Sequence, residues 1–164
     1  MHLPPKNTSF KIILTQLPIP FYNLQLAKQI NNIPLAAGLL KTMASKKKLT
    51  KYANIEILDP LTADVASDPK LIQTLINKKP KMIGFSLYSW NLNRSLYGIS
   101  EIKKCLPELI VIIGGPAVTE EFQNTLPEGV DFCIKGEGEM SFAQLVKHLL
   151  EGSPSIGSIS NLIF

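Results

Sequence analysis

Five short apolar runs alternate along this chain with segments of helical periodicity, and most of those runs are apolar on both sides. A strand that is hydrophobic on both faces needs cover on both, which a parallel sheet lying between helices supplies. The runs are Phe10 to Leu17, Ala53 to Leu58, Met82 to Leu87, Ile110 to Ile113 and Asp131 to Lys135. In the second, Ile55 and Ile57 alternate with Asn54 and Glu56, so that strand is expected near a sheet edge. The alternation predicts an α/β protein of the flavodoxin-like, Rossmann-like class. Its doubly wound, five-stranded parallel sheet has the order 2-1-3-4-5, with helices on both faces.

The intervening segments carry helix signals of their own. Asn32 can cap a helix that starts near Pro34, with Leu35, Leu39 and Met43 on one face and Ala36 and Leu40 beside them. Asp68-Pro69 opens a second, with Leu71, Ile72, Leu75 and Ile76 as its apolar side, and Lys78-Lys79-Pro80 ends it. A third runs from about Leu92 to Cys105, and a short fourth lies near Glu120 to Asn124. The last follows Gly138 and carries Phe142, Leu145, Val146, Leu149 and Leu150. Two prolines and Asn31-Asn32 make residues 18–32 a long loop.

With 164 residues, 45% hydrophobic and 18% charged, the composition is that of one globular domain with a tail. The net charge of +4 gathers at Lys46, Lys47, Lys48 and Lys51, just past a helix. No aromatics interleave with them, so they read as a solvated helix end, and no nucleic-acid partner is expected. Cys105 and Cys133 have neither zinc-ligand nor redox-motif spacing. The sequence shows no charged leader followed by an apolar stretch, and no apolar run near the ~20 residues of a membrane span, so a cytoplasmic protein without membrane contact is expected. Glu151 to Ser160 is rich in Gly, Ser and Pro and reads as a linker. The expected map is a disordered leader over 1–9, a folded module over 10–152, and over 153–164 a linker with the start of a following domain, as though the chain were cut at a boundary.

In an open parallel sheet, ligands bind beyond the C-terminal ends of the strands, at the switch point between strands one and three. The loops reaching that edge contain Pro18 and Pro20, the run Ser86-Leu87-Tyr88-Ser89-Trp90-Asn91, then Gly114-Gly115-Pro116, then Gly136-Glu137-Gly138-Glu139. Small residues admit a ligand close to the backbone, and Tyr88 and Trp90 offer flat apolar surface with one polar handle each. That mixture suits a large, mostly apolar, planar cofactor with a polar tail; any one motif alone reads more simply, Gly114-Gly115 as a turn and Trp90 as a packing residue.

Common nucleotide sites do not fit. Leu17-Pro18-Ile19-Pro20 stands where a dinucleotide fold needs Gly-x-Gly-x-x-Gly, and there is no P-loop. A phospho-receiver needs a carboxylate at the end of strand three, where Ser86 stands, and acidic residues after strand one, where Gln16 stands. The proline-rich first loop is equally poor for an FMN phosphate. Glu137 and Glu139 at a helix start complement its dipole, and no residue is nominated as catalytic.

Four motifs, taken in order, resemble a known family: Asn32-Ile33-Pro34-Leu35-Ala36-Ala37-Gly38-Leu39-Leu40; Ile83-Gly84-Phe85-Ser86-Leu87-Tyr88-Ser89-Trp90-Asn91; Ile113-Gly114-Gly115-Pro116; and Val130-Asp131 with Lys135-Gly136-Glu137-Gly138-Glu139. Over about residues 10–152 the chain looks like the N-terminal cobalamin-binding domain of radical S-adenosylmethionine (SAM) proteins. The resemblance implies a corrinoid on the C-terminal edge of the sheet, with its nucleotide tail entering the crevice. Loop 86–91 would lie under or beside the ring, 114–116 and 136–139 along the tail, and Pro18 and Pro20 in the first-strand wall. It further implies a C-terminal radical SAM domain as partner, holding S-adenosylmethionine and a 4Fe-4S cluster for methyl transfer or related radical chemistry.

Two departures shape that expectation. The Asp-x-His-x-x-Gly motif that supplies a cobalt-ligating histidine in other cobalamin domains is absent, and neither His2 nor His148 is placed to replace it. With two cysteines the chain lacks the iron–sulfur motif and is not expected to be catalytic alone. The competing readings are a corrinoid-free docking scaffold of the same fold and, behind it, a small flavin enzyme.

Overall fold

The structure, a computed structural model, describes residues 10–18, 33–59, 62–63, 66–119 and 121–164. Five parallel strands form its centre: β1 (Lys11–Thr15), β2 (Asn54–Ile57), β3 (Met82–Ser86), β4 (Ile110–Gly114) and β5 (Phe132–Ile134). A sixth, β6 (Leu162–Ile163), pairs antiparallel with β5, and the order is β2-β1-β3-β4-β5-β6. The expected order of the first five strands is the observed one. The count of five is corrected to six, because without β6 the outer edge of β5 would leave a row of backbone groups unpaired.

Among the described residues, the helices that cover the sheet are α1 (Leu35–Lys46), α2 (Asp68–Asn77), α3 (Leu92–Cys105), α4 (Glu121–Asn124) and α5 (Glu139–Glu151). The strand pleat sends alternate side chains to opposite faces. Ile13, Ile83, Phe85, Val111, Ile113 and Cys133 pack with Leu71 and Leu75 of α2 and Ile99 and Ile102 of α3. Ile12, Leu14, Met82, Ile112 and Ile134 pack with Ala37 and Ala44 of α1 and Phe142, Leu145 and Val146 of α5. Both faces of the strands are therefore buried, which is why their sequence hardly alternates.

The edge position of β2 explains its polar side. Glu56 is half-buried beside Lys11 and Lys78, and both lysines pair with it.

α1 departs from the sequence reading. Its buried stripe is Ala37, Leu40, Met43 and Ala44, whereas Leu35 is 66% and Leu39 45% exposed. Alanines at the contact let α1 lie close to the sheet and α5, and that rotates the two leucines outward. Asn32, its expected cap, lies outside the described residues; Pro34 occupies the position before the first helical residue, with no side-chain cap.

The segment read as a linker is docked. A 3-10 turn over Ile156–Ser158 precedes Ile159, which is buried with the α5 face. The Ser141 hydroxyl donates to the Ser160 carbonyl at 2.7 Å, and Lys135 N–H donates to the Asn161 carbonyl at 3.0 Å. Gly, Ser and Pro there provide sharp turns rather than freedom.

Candidate functional site

A crevice opens at the C-terminal edge of the sheet, between its α1 and α5 face and those two helices. Its volume is about 170 Å³. The floor is Leu14, Gly84, Ile112 and Ile134, on four adjacent strands; Ala36, Ala37, Leu39 and Leu40 of α1 form one wall, with Gly138, Glu139 and Phe142 opposite. Ser86, Tyr88, Gly114, Gly115 and Pro116 come from the ends of β3 and β4, and Gly136 and Glu137 from the end of β5. Most of this lining is apolar, with the Ser86 and Tyr88 hydroxyls and two carboxylates as polar groups.

The corners are built by close backbone approach. Leu87 N–H donates to the Gly114 carbonyl at 2.7 Å, and Ala117 N–H returns a bond to the Leu87 carbonyl at 3.1 Å. A Cβ on Gly115 would stand 2.6 Å from that same carbonyl oxygen, and its φ of +112° is already closed to most side chains. At Gly136 (φ +71°) the chain turns out of β5 toward the start of α5. Glu139 lies in the first turn of α5, where a carboxylate complements the helix dipole.

Of the residues nominated from sequence, Ser86, Tyr88, Gly114, Gly115, Pro116, Gly136, Glu137, Gly138 and Glu139 converge on the crevice. Pro18, Leu87, Ser89, Trp90 and Asn91 are not in its lining, and Pro20 lies outside the described residues. Leu87 is buried in the opposite core, where its side chain packs. Asn91 is buried and tied to backbone: its Nδ2 donates to the Leu17 and Ser86 carbonyls, and its Oδ1 accepts from Tyr88 N–H at 2.8 Å. Trp90 is 44% exposed and stacks on Tyr88, the ring centroids 4.5 Å apart at 15°. It thus braces a lining residue from outside.

Sequence reading missed the α1 wall and Gly84. An isolated glycine inside an apolar strand was the available signal, because it marks a close approach of something to the strand. Ala36, Leu39 and Leu40 of the α1 wall read from sequence only as the apolar side of a helix, because no loop position marked them as lining.

No group of three or more His, Cys, Asp or Glu side chains poised for a metal exists among the described residues. His148 sits in the last turn of α5, its Nδ1 2.8 Å from the Pro154 carbonyl oxygen. Nine residues of helix separate it from Glu139, about 14 Å at 1.5 Å per residue. Cys133 is buried on the α2–α3 face, and burial pushes its thiol up to about 11. Among the described residues no helix is long and apolar enough to cross a membrane.

Residues 32–146 match the family model described as the B12 binding domain. The chain is 28% identical over 129 residues to the cobalamin-dependent radical SAM methyltransferase TokK of Streptomyces tokunonensis, covering 77% of this chain and 18% of that protein. It is 29% identical over 125 residues to the 2-(S-pantetheinyl)-carbapenam-3-carboxylate methyltransferase of Streptantibioticus cattleyicolor, covering 74% and 18% respectively. The structure of the cobalamin-dependent S-adenosylmethionine radical enzyme OxsB with aqua-cobalamin and S-adenosylmethionine bound superposes with a TM-score of 0.68 at 18% identity. That match covers 93% of this chain and 20% of that one, and shows a shared fold. The chain spans about one fifth of the length of these relatives.

Proposed function

The chain belongs to the B12-binding domain family, and from that premise we propose that it holds cobalamin at the C-terminal edge of its sheet for a radical SAM catalytic domain of the same parent protein. The observation that carries this reading is the size and lining of the crevice. An apolar cavity of about 150 Å³ admits one benzene ring. The 170 Å³ here is therefore of the order of one aromatic ring, which suits the end of the base on a cobalamin tail, and is far too small for the macrocycle. The corrin ring would stay at the rim, over the loops that carry Tyr88, Pro116 and Gly136.

The residues fit such a group. Gly138 leaves the space between Ile134 and Leu40 free of a side chain, the Ser86 hydroxyl and the first N–H groups of α5 face polar parts of a tail, and Leu40 and Phe142 exclude water from a base. When held there, cobalamin supplies cobalt chemistry suited to carrying an alkyl group. The chain's own part is to bind, orient and shield, and no residue in the lining is assigned a proton transfer. The distance of His148 from the crevice supports a cobalt without a histidine ligand from this domain.

In this reading residues 10–152 are the cofactor module, and 153–164, anchored through β6, lead toward the catalytic domain. Its S-adenosylmethionine and 4Fe-4S cluster would reside there, a methyl transfer would be the parent reaction, and the protein would work in the cytoplasm.

Titration with hydroxocobalamin, followed by visible absorption, tests the reading. Saturable binding at one per chain is expected, with a spectrum unchanged by His148→Ala. A folded chain that leaves the hydroxocobalamin spectrum unaltered at every ratio would favour the corrinoid-free docking scaffold instead.

A further inference from the structure

A second cavity, of about 380 Å³, lies along α5 and shares no lining residue with the crevice. Met140, Ala143, Gln144, Lys147 and Glu151, spaced three and four apart on that helix, form one wall. The other comprises Lys47 and Lys48 at the end of α1, then Leu49 of the 3-10 turn Leu49–Lys51, then Tyr52. Leu49 and Ala143 are buried, so the floor is apolar, while Lys47, Lys48 and Lys147 stand exposed at the rim. From Met140 to Glu151 the groove runs about 16 Å, at 1.5 Å per helical residue.

Lys46 and Lys51 flank the same turn. With the three rim lysines and Glu151 they sum to +4, which is the net charge of the entire chain; the other twelve basic and twelve acidic residues cancel. Among the described residues no carboxylate pairs with Lys46, Lys47, Lys48 or Lys51, whereas Lys11, Lys78, Lys103 and Lys104 each have one. Lys147 reaches Glu151 only at 4.0 Å. Lys48 also holds a left-handed conformation, φ +60°, at a place after a helix where glycine is usual. The order of residues groups four of these lysines, and folding sets Lys147 across the groove from them.

We propose that this groove docks an acidic peptide segment of a partner protein, with its carboxylates on the lysine rim and one apolar side chain on the Leu49–Ala143 floor. Five extended residues span about 16 Å, the length of the groove. The rim carries ammonium groups, which serve single carboxylates as point charges, and no arginine to grip a phosphate with two parallel bonds. Tyr52 is the one aromatic side chain in the lining, which is no platform for stacked bases. A bare anion would leave the apolar floor uncovered. Complementary charge of this kind speeds encounter and selects the partner.

The test follows backbone amide shifts of the nitrogen-15-labelled 164-residue chain. It is titrated with the blocked peptide Glu-Glu-Leu-Glu-Glu, with its counterpart Gln-Gln-Leu-Gln-Gln, and with a single-stranded oligothymidylate of equal charge. Saturable binding of the acidic peptide is expected, with shifts confined to residues 47–52 and 140–154 and an affinity that falls with added salt. Lys47→Gln, Lys48→Gln and Lys147→Gln together should weaken it about tenfold or more, and Lys70→Gln, Lys79→Gln and Lys81→Gln together less than about twofold. Serine in place of the peptide leucine should weaken it about fivefold or more. Equal weakening by the two triple variants, equal affinity for the glutamine peptide, shifts centred elsewhere, or no binding overturns the docking site. Tighter binding of the oligothymidylate, or indifference to the leucine, overturns the peptide as its occupant.

Discussion

The buried side-chain amide of Asn91 donates to the main-chain carbonyl of Leu17 across 2.9 Å, joining residues 74 positions apart. The same amide reaches the Ser86 carbonyl, and its oxygen accepts from Tyr88 N–H. One side chain therefore fixes the exit of β1 to the exit of β3 and holds Tyr88 at the mouth of the crevice. Asn91→Ala leaves these buried groups without partners and is expected to cost about 2–3 kcal/mol in unfolding free energy, read from urea denaturation. A loss below about 0.5 kcal/mol, the range of ordinary surface changes, would contradict the clamp.

Neighbouring glycines in the third loop should behave differently. Gly115→Ala brings a Cβ against the Leu87 carbonyl and strains a positive φ, so a loss of about 2 kcal/mol or more is expected. At Gly114 a Cβ meets nothing closer than the Ile134 carbonyl oxygen at 3.5 Å, and Gly114→Ala should cost under about 1 kcal/mol. Calorimetric melting of both variants checks the contrast, and equal shifts would refute it. A bulky residue at 115 would consequently report on folding before it reported on a ligand.

The two cysteines should differ in reactivity. Cys105 is exposed, whereas Cys133 is wholly buried with its thiol pushed up to about 11 by desolvation. An aromatic disulfide reagent at pH 8 is expected to modify one thiol per native chain and two after denaturation; rapid modification of both in the native chain would contradict the buried assignment. Because the folded thiol is held above its unfolded value of 9.0, the unfolded chain loses this proton first as pH rises. The corresponding stability is fully present below pH 9 and is lost between about 9 and 11.

Glu56 carries the opposite sign. A hydrogen bond from Lys78, partly opposed by burial and reinforced by Lys11, holds its carboxyl below the ordinary value of 4.5. Its contribution is present above that value and lost as pH falls through the folded one. Because the group is about a third exposed, Glu56→Gln should cost only about 0.5 kcal/mol at pH 7, and the difference from the parent should shrink at low pH. A difference that grew on acidification would refute this assignment.

Legibility from sequence followed local periodicity. The five parallel strands and the order of their pairing could be read because apolar runs, helix starts and crossover rules all agreed. β6 could not: two residues in an antiparallel strand generate no period, and the Gly-Ser-Pro stretch before it has the composition of a linker even though Ile159 is buried. The phase of α1 was misjudged because leucines outweigh alanines in any hydrophobic pattern, while close helix packing favours the alanines. At the crevice, Ser86, Tyr88 and the glycine corners were found from their loop positions. Leu87 and Asn91 were nominated with them, but the chain turns those two side chains inward.

Taken alone, the order of residues determined the fold, the edge at which the crevice opens and the small residues at its mouth. These depend on neighbours within a turn or a strand, and such neighbours are visible in one dimension. Only the tertiary structure decided which loop side chains face the crevice, that α1 supplies a wall, and that Gly84 lies at the bottom between Leu14 and Ile112. Those relations join residues from separate elements, and they depend on how closely helices and strands pack, which no local pattern records.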